Sequence, residues 1–194
     1  MKSGKMKSGM WFLAAASVLG GLVSAPAQAA VTVIGGGLAR DCYIAVETGQ
    51  IAASKALSIC ELALEQETLS RKNMAATYVN RGILHLRMGQ NVRAMADFDT
   101  SIRNVPDLYE AHVNRGAALF ALDRFEEALA AFNIGIKSED LNARVTAYYN
   151  RGLAHEHLGD VTSAYYDYKT ALELDPDFAL ATKQLTRFQV KSAN

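Results

Sequence analysis

A short pattern recurs three times along this chain, and it restricts the chain to a repeating architecture. It appears at residues 78–82 (YVNRG), 112–116 (HVNRG) and 148–152 (YYNRG), so that successive glycines are 34 and 36 residues apart. Further residues keep a constant offset from each glycine, an alanine at twelve residues and an aromatic at sixteen: Ala94, Ala128 and Ala164, then Phe98, Phe132 and Tyr168. Self-similarity at such a period predicts a stack of equivalent structural units.

Each unit is predicted to contain two helices. In the first unit, residues 75–87 and 92–103 carry apolar side chains at helical spacing, with Gly89 between them and Pro106 after them. Gly82 and its two counterparts fall inside the first helix, where glycine costs about 1 kcal/mol relative to alanine. We therefore expect the aromatic residue of the second helix to pack directly against this glycine.

With a 34-residue period and these aromatic, Gly, Ala and Pro offsets, residues 75–178 resemble the tetratricopeptide repeat family. The resemblance implies an all-α, right-handed solenoid of antiparallel helix hairpins, with units at 75–108, 109–142 and 145–178. Three residues of the second unit depart from the family pattern, and two residues are inserted between 138 and 144; the departures are His112, Asp123 and Asp140. Because of these departures, the sequence does not define the first and last residues of the second unit.

Helices are also predicted on both sides of the repeats. Residues 30–73 form a helical hairpin, with helices at 38–48 and 51–66, in which Cys42 and Cys60 lie level and form a disulfide. Residues 179–194 contain a capping helix whose inner face is made by three side chains: Leu180, Leu185 and Phe188. The glycine-rich residues 32–37 are expected to be a flexible lead-in.

The beginning of the chain has the pattern of a secretory signal peptide. Three lysines precede an apolar run at 10–23, and Ala27 and Ala29 offer the small residues that a signal peptidase requires. We expect cleavage after Ala29 and a periplasmic or secreted product that does not span the membrane; the alternative is an uncleaved anchor. The remaining chain has a net charge of about −3, which argues against a nucleic-acid partner.

The sequence offers no arrangement that would support catalysis, a cofactor or a metal ion. His155 and His157 are two residues apart and point to different sides of a helix, and no activated nucleophile or phosphate loop is recognisable. The repeated arginines, Arg81, Arg115 and Arg151, are interpreted as ion-pair partners of acids such as Asp97 or Asp167. An anionic ligand is the alternative.

The first helix of each hairpin should line the concave face of the solenoid. On it we predict nine partner-binding residues: Asn80, Ile83, Arg87, Glu110, Asn114, Phe120, Tyr149, Asn150 and Glu156. The resemblance implies that the repeated asparagine binds the backbone of a peptide, although it could instead space neighbouring helices. The predicted function is a non-catalytic scaffold that binds a protein or peptide segment. The alternative is a structural envelope protein that associates with itself as a homo-oligomer.

Overall fold

A computed structural model describes residues 26–188, which form helices joined by short connections and preceded by an extended segment. In chain order the helices are α1 (Leu38–Thr48), α2 (Ala53–Gln66), α3 (Arg71–Arg87), α4 (Asn91–Asn104), α5 (Tyr109–Phe120), α6 (Phe125–Gly135), α7 (Leu141–His157), α8 (Val161–Leu174) and α9 (Ala179–Leu185). The predicted all-α class is confirmed.

The helices pair in sequence order as antiparallel hairpins: α1 with α2, α3 with α4, α5 with α6, and α7 with α8. The second helix of each hairpin also contacts the first helix of the next, and α1, α3, α5 and α7 contact one another in succession. The first helices consequently lie side by side and form one continuous face of the solenoid.

The expected packing of an aromatic ring on each repeated glycine is present. A Cβ on Gly82 would lie 2.5 Å from a ring carbon of Phe98, and one on Gly152 would lie 2.7 Å from the ring of Tyr168. Gly116 meets Phe132 in the same way. The absence of a side chain at this position lets the two helices of each hairpin approach closely.

Helices α3 and α7 begin four residues before the predicted starts of their units, at Arg71 and Leu141. The cause is a capping side chain at each start. Ser70 accepts a hydrogen bond from the backbone N–H of Asn73, and Asp140 accepts one from Ala143. The first turn of α7 therefore lies within the region of the two-residue insertion, between 138 and 144.

The N-terminal hairpin has the predicted disulfide. Cys42 on α1 and Cys60 on α2 are bonded, with their Cα atoms 4.9 Å apart, and both side chains are fully buried. The turn between the two helices starts at Gly49, whose φ of 61° is in the left-handed region that favours glycine.

The capping helix is shorter than predicted, and its buried face is displaced by one residue. Leu180 is 41% exposed, whereas Ala181 and Gln184 are buried, so the prediction for Leu180 is wrong. Leu185 and Phe188 do pack against the last hairpin, as expected. Residues 189–194, which complete the predicted range, lie outside the described residues.

Candidate functional site

Three repeated asparagines lie on the face formed by the first helices. Asn80, Asn114 and Asn150 occupy the same position in α3, α5 and α7, two residues before the packed glycine. All three side chains are fully buried, because residues 26–34 run across them in an extended conformation. We call residues 26–34 the N-terminal segment. The flexible lead-in expected from residue 32 onward is thus wrong for residues 32–34.

Each asparagine binds both polar groups of one residue of the N-terminal segment. Asn150 Oδ1 accepts the backbone N–H of Ala27 at 2.9 Å, while its Nδ2 donates to the Ala27 carbonyl at 2.8 Å. Asn114 binds Ala29 in the same manner at 3.2 and 2.7 Å. These hydrogen bonds involve only backbone atoms of the N-terminal segment, so they require no particular side chain in it.

The pattern continues in the first hairpin. Asn80 binds the N–H and carbonyl of Val31 at 3.0 and 2.8 Å. The bound residues 27, 29 and 31 alternate because successive residues of an extended chain present their polar groups to opposite sides. The segment therefore runs from the third repeat towards the first.

A fourth asparagine, Asn73, was not identified from the sequence. It binds the N–H and carbonyl of Ile34 at 3.3 and 2.7 Å, and the neighbouring Val33 is only 1% exposed. Asn73 stands seven residues before Asn80, about two helical turns away on the same face of α3. The seven-residue spacing from Asn80 is the feature of the sequence by which Asn73 could have been identified. We refer to Asn73, Asn80, Asn114 and Asn150 as the asparagine ladder.

The apolar residues predicted to bind a partner belong to the core beneath the ladder. Ile83 and Tyr149 are fully buried, and Tyr149 packs edge-on against Phe178 with ring centroids 5.4 Å apart. Phe120 lies edge-on to Phe125 and His157. These side chains support the groove and are not exposed in it.

The charged residues predicted for the same face have partners within the chain. Arg87 donates to the carbonyl of Val46 at 2.8 Å, and burial lowers the pKa of Arg87. Glu110 accepts a hydrogen bond from the hydroxyl of Ser138. These contacts fix the first helices relative to neighbouring elements.

Glu156 has a similar structural role near the C-terminal end. It accepts the hydroxyl of Tyr168 at 2.7 Å and pairs with Arg187 at 2.9 Å. Burial and the bond to Glu156 together raise the pKa of Tyr168 well above its usual value. The last repeat is thereby tied to the residues that follow α9.

The repeated arginines form ion pairs within the chain. Arg81 binds Asp97 and Arg151 binds Asp167, each through two nitrogens with a shortest distance of 2.6 Å. These hydrogen bonds raise the pKa of both arginines.

The second repeat departs from this pattern. Its residue at the equivalent position is Ala131, and Arg115 pairs instead with Asp99 on α4 at 2.7 Å.

A cavity of about 350 Å³ lies beside the N-terminal segment. It is lined by segment residues and by polar, acidic and aromatic residues of the repeats and α1: Gln28, Ala29, Ala30, Thr32, Tyr43, Glu47, Asp140, Asn142, Val145, Thr146, Asp175 and Phe178. Three of these residues are acids and none is Lys or Arg. We call this space the acidic cavity.

Residues 26–188 contain no group of three His, Cys, Asp or Glu side chains placed to hold a metal ion. Within the same range, none of the helices combines the length and apolar character needed to cross a bilayer.

A curved stack of helix hairpins with an extended segment along the first helices is the architecture of a helical-repeat interaction scaffold. The chain belongs to the tetratricopeptide repeat family. Family models for this repeat match residues 79–140 and residues 145–178.

Known proteins resemble the chain in sequence and in fold. The Protein SGT1 homolog of Oryza sativa subsp. japonica is 30% identical over 89 residues, which cover 44% of this chain and 24% of the relative. The chain thus matches about a quarter of that protein.

Among solved structures, the first repeat domain of Spaghetti (RPAP3) bound to the HSP90 peptide SRMEEVD has a TM-score of 0.56 and 25% identity. The match covers 60% of this chain and 90% of that one. MamA from Desulfovibrio magneticus RS-1 is 20% identical, with a TM-score of 0.59 and coverage of 77% and 82%.

Proposed function

We propose that this protein is an exported, non-catalytic scaffold that binds an extended peptide segment of a partner protein along its asparagine ladder. The observation that supports this most directly is the repeated two-point bond between an asparagine amide and a peptide backbone. Such a bond fixes the path and register of an extended chain, and adjacent side chains then supply specificity.

Two further observations favour this role. The Spaghetti repeat domain, whose fold is similar, has been solved with a bound peptide. In addition, the residues under the ladder are rigidly packed, with Ile83 and Tyr149 fully buried. A preorganised groove loses little conformational entropy on binding, which benefits affinity.

The proposed location rests on the N-terminal pattern and on the disulfide. Residues 1–25 lie outside the described residues, and the basic start and apolar run of the signal peptide fall among them. The Cys42–Cys60 bond suits an oxidising compartment such as the periplasm.

Site-specific photocrosslinking in cells that express the full chain would test the function. A photoreactive amino acid at Asn142, exposed beside the acidic cavity, should crosslink a second protein, whereas one at Glu126, exposed on α6, should not. Replacing Asn114 and Asn150 with alanine should reduce the adduct at least about tenfold, because each lost amide leaves a backbone N–H and a carbonyl of the bound segment unpaired.

Adducts from position 126 alone would place binding on the outer side of the solenoid and contradict the proposal. Adducts that contain only two copies of this chain would favour the alternative, a self-associating structural protein. Circular dichroism and thermal melting of each variant would establish that the fold is intact.

A further inference from the structure

The expected cleavage site lies within the part of the chain that occupies the ladder. Ala27 and Ala29 are bound by Asn150 and Asn114, whereas Val31 and Ile34 are bound by Asn80 and Asn73. Cleavage after Ala29 would remove the first two bound residues and leave the last two attached. The signal peptide's removal would therefore vacate the half of the groove on α5 and α7.

The remaining part of the N-terminal segment has reasons to stay in place. Val33 is buried in a cluster with Ala39, Ala63 and Ala76, and two asparagines still hold the backbone on either side of it. The processed chain would thus carry a groove that is filled at the first repeat and open at the second and third.

The acidic cavity adjoins the half of the groove that would be vacated. Gln28, the residue between the two bound alanines, contributes to its lining, as do three acidic residues: Glu47, Asp140 and Asp175. Cleavage would create an α-ammonium on Ala30, which also lines this cavity, and this charge would neutralise part of the negative charge there. One ammonium against three carboxylates leaves the cavity negative.

We propose that the processed protein binds, in the vacated half of the groove, an extended partner segment with a basic side chain flanked by two small residues. This inference rests on the function proposed above. The small residues take the places of Ala27, which packs against the core cluster of the last repeats, and of Ala29. The Lys or Arg side chain replaces Gln28 and enters the acidic cavity, where its charge complements the three carboxylates.

The test uses the exported protein obtained from expression of the full chain, with its N-terminus determined by mass spectrometry. Fluorescent, C-terminally amidated peptides that end at the residue equivalent to Ala29 supply the probe: SAPAKA, SAPAQA and SAPAEA, which differ only at the residue equivalent to Gln28. In low-salt buffer the Lys peptide should bind at least about fivefold more tightly than the Gln peptide, and the Glu peptide more weakly than either. High salt should reduce these differences.

Variants separate the charge effect from backbone recognition. The triple variant Glu47→Gln, Asp140→Asn and Asp175→Asn should abolish the preference for Lys, so that the Lys peptide binds no more tightly than the Gln peptide. The fold should persist, since asparagine can still cap α7 at position 140. A control triple variant at exposed acids outside the cavity should retain the preference: Glu65→Gln, Asp107→Asn and Glu126→Gln.

The possible failures are distinguishable. Equal binding of the three peptides, lost on replacing Asn114 and Asn150 with alanine, would overturn the basic preference and preserve the groove function. An exported form that retains residues 26–29, or binding of none of the peptides, would overturn the inference. The photocrosslinking result at Asn142 would then decide the general function independently.

Discussion

At the scale of single residues, the repeated glycine determines how closely the helices of a hairpin approach. Gly116→Leu should lower the free energy of unfolding by at least about 2 kcal/mol, because any side chain there meets the ring of Phe132. Chemical denaturation of the variant would measure this. Ala130→Leu, at an exposed position on α6, is the matched control and should change stability little. Equal stability of both variants would contradict this account of the packing.

The same residues indicate how far a sequence can be interpreted. Glycine and aromatic positions were predictable because steric contact depends on residue type and a fixed helical offset. What the asparagine ladder binds was not predictable. An asparagine at this position can bind a neighbouring helix, a partner or the chain itself, and the residue type does not distinguish among them. The segment that it binds, around Ala27 and Ala29, was interpreted only as a cleavage signal.

At the scale of elements, capping side chains determined the helix boundaries that periodicity missed. Ser70 and Asp140 extend α3 and α7 by a turn. Apolar periodicity could not identify these starts because the added turns are partly exposed. The displacement at α9 has a related cause: in a short helix, Leu180 and Ala181 both fit an amphipathic pattern, and contact with the preceding repeat selects the smaller residue.

Helix α8 should make a pH-dependent contribution to stability through its cap. Asp160 accepts a hydrogen bond from the N–H of Ser163. Hydrogen bonding to the side chain of Ser163 and then to this N–H holds the pKa of Asp160 below its usual value. Because the folded-state pKa is the lower one, the contribution is complete above the unfolded pKa, about 3.9, and is lost as the pH falls through the folded value.

Melting temperatures of the wild type and Asp160→Asn, measured from neutral pH down to about 3, would test this, since Asn caps a helix but does not titrate in this range. Any advantage of the wild type should decline below pH of about 4. Ser70→Ala, which removes an uncharged cap, should cost about 1 kcal/mol with no such pH dependence. A wild-type advantage that increases towards low pH would contradict the assignment.

The N-terminal hairpin should depend strongly on its disulfide. Cys42 and Cys60 are 18 residues apart in sequence, and closing a loop of this size contributes about 3 kcal/mol. Replacing both with alanine should lower the free energy of unfolding by about that amount, measured by denaturation. Thiol titration of the exported, denatured protein should detect no free thiol; two free thiols would contradict the bond.

At the scale of the whole molecule, export and partner binding are coupled if processing vacates half of the groove. In the exported protein the side-chain amides of Asn150 and Asn114 should exchange faster with solvent than those of Asn73 and Asn80, because their backbone partners, Ala27 and Ala29 respectively, have been removed. The effect should be larger for Asn150, because Asn114 still donates to the carbonyl of Glu110 at 2.9 Å. The side-chain amides of Asn73 and Asn80 should stay protected from exchange, because Ile34 and Val31 remain bound to them. NMR of selectively labelled asparagine would measure the exchange of all four. The unprocessed chain, accumulated by inhibiting signal peptidase, should protect all four amides. Uniform protection in the exported protein would mean that the groove remains closed after processing, and uniform exposure would mean that the whole N-terminal segment leaves it.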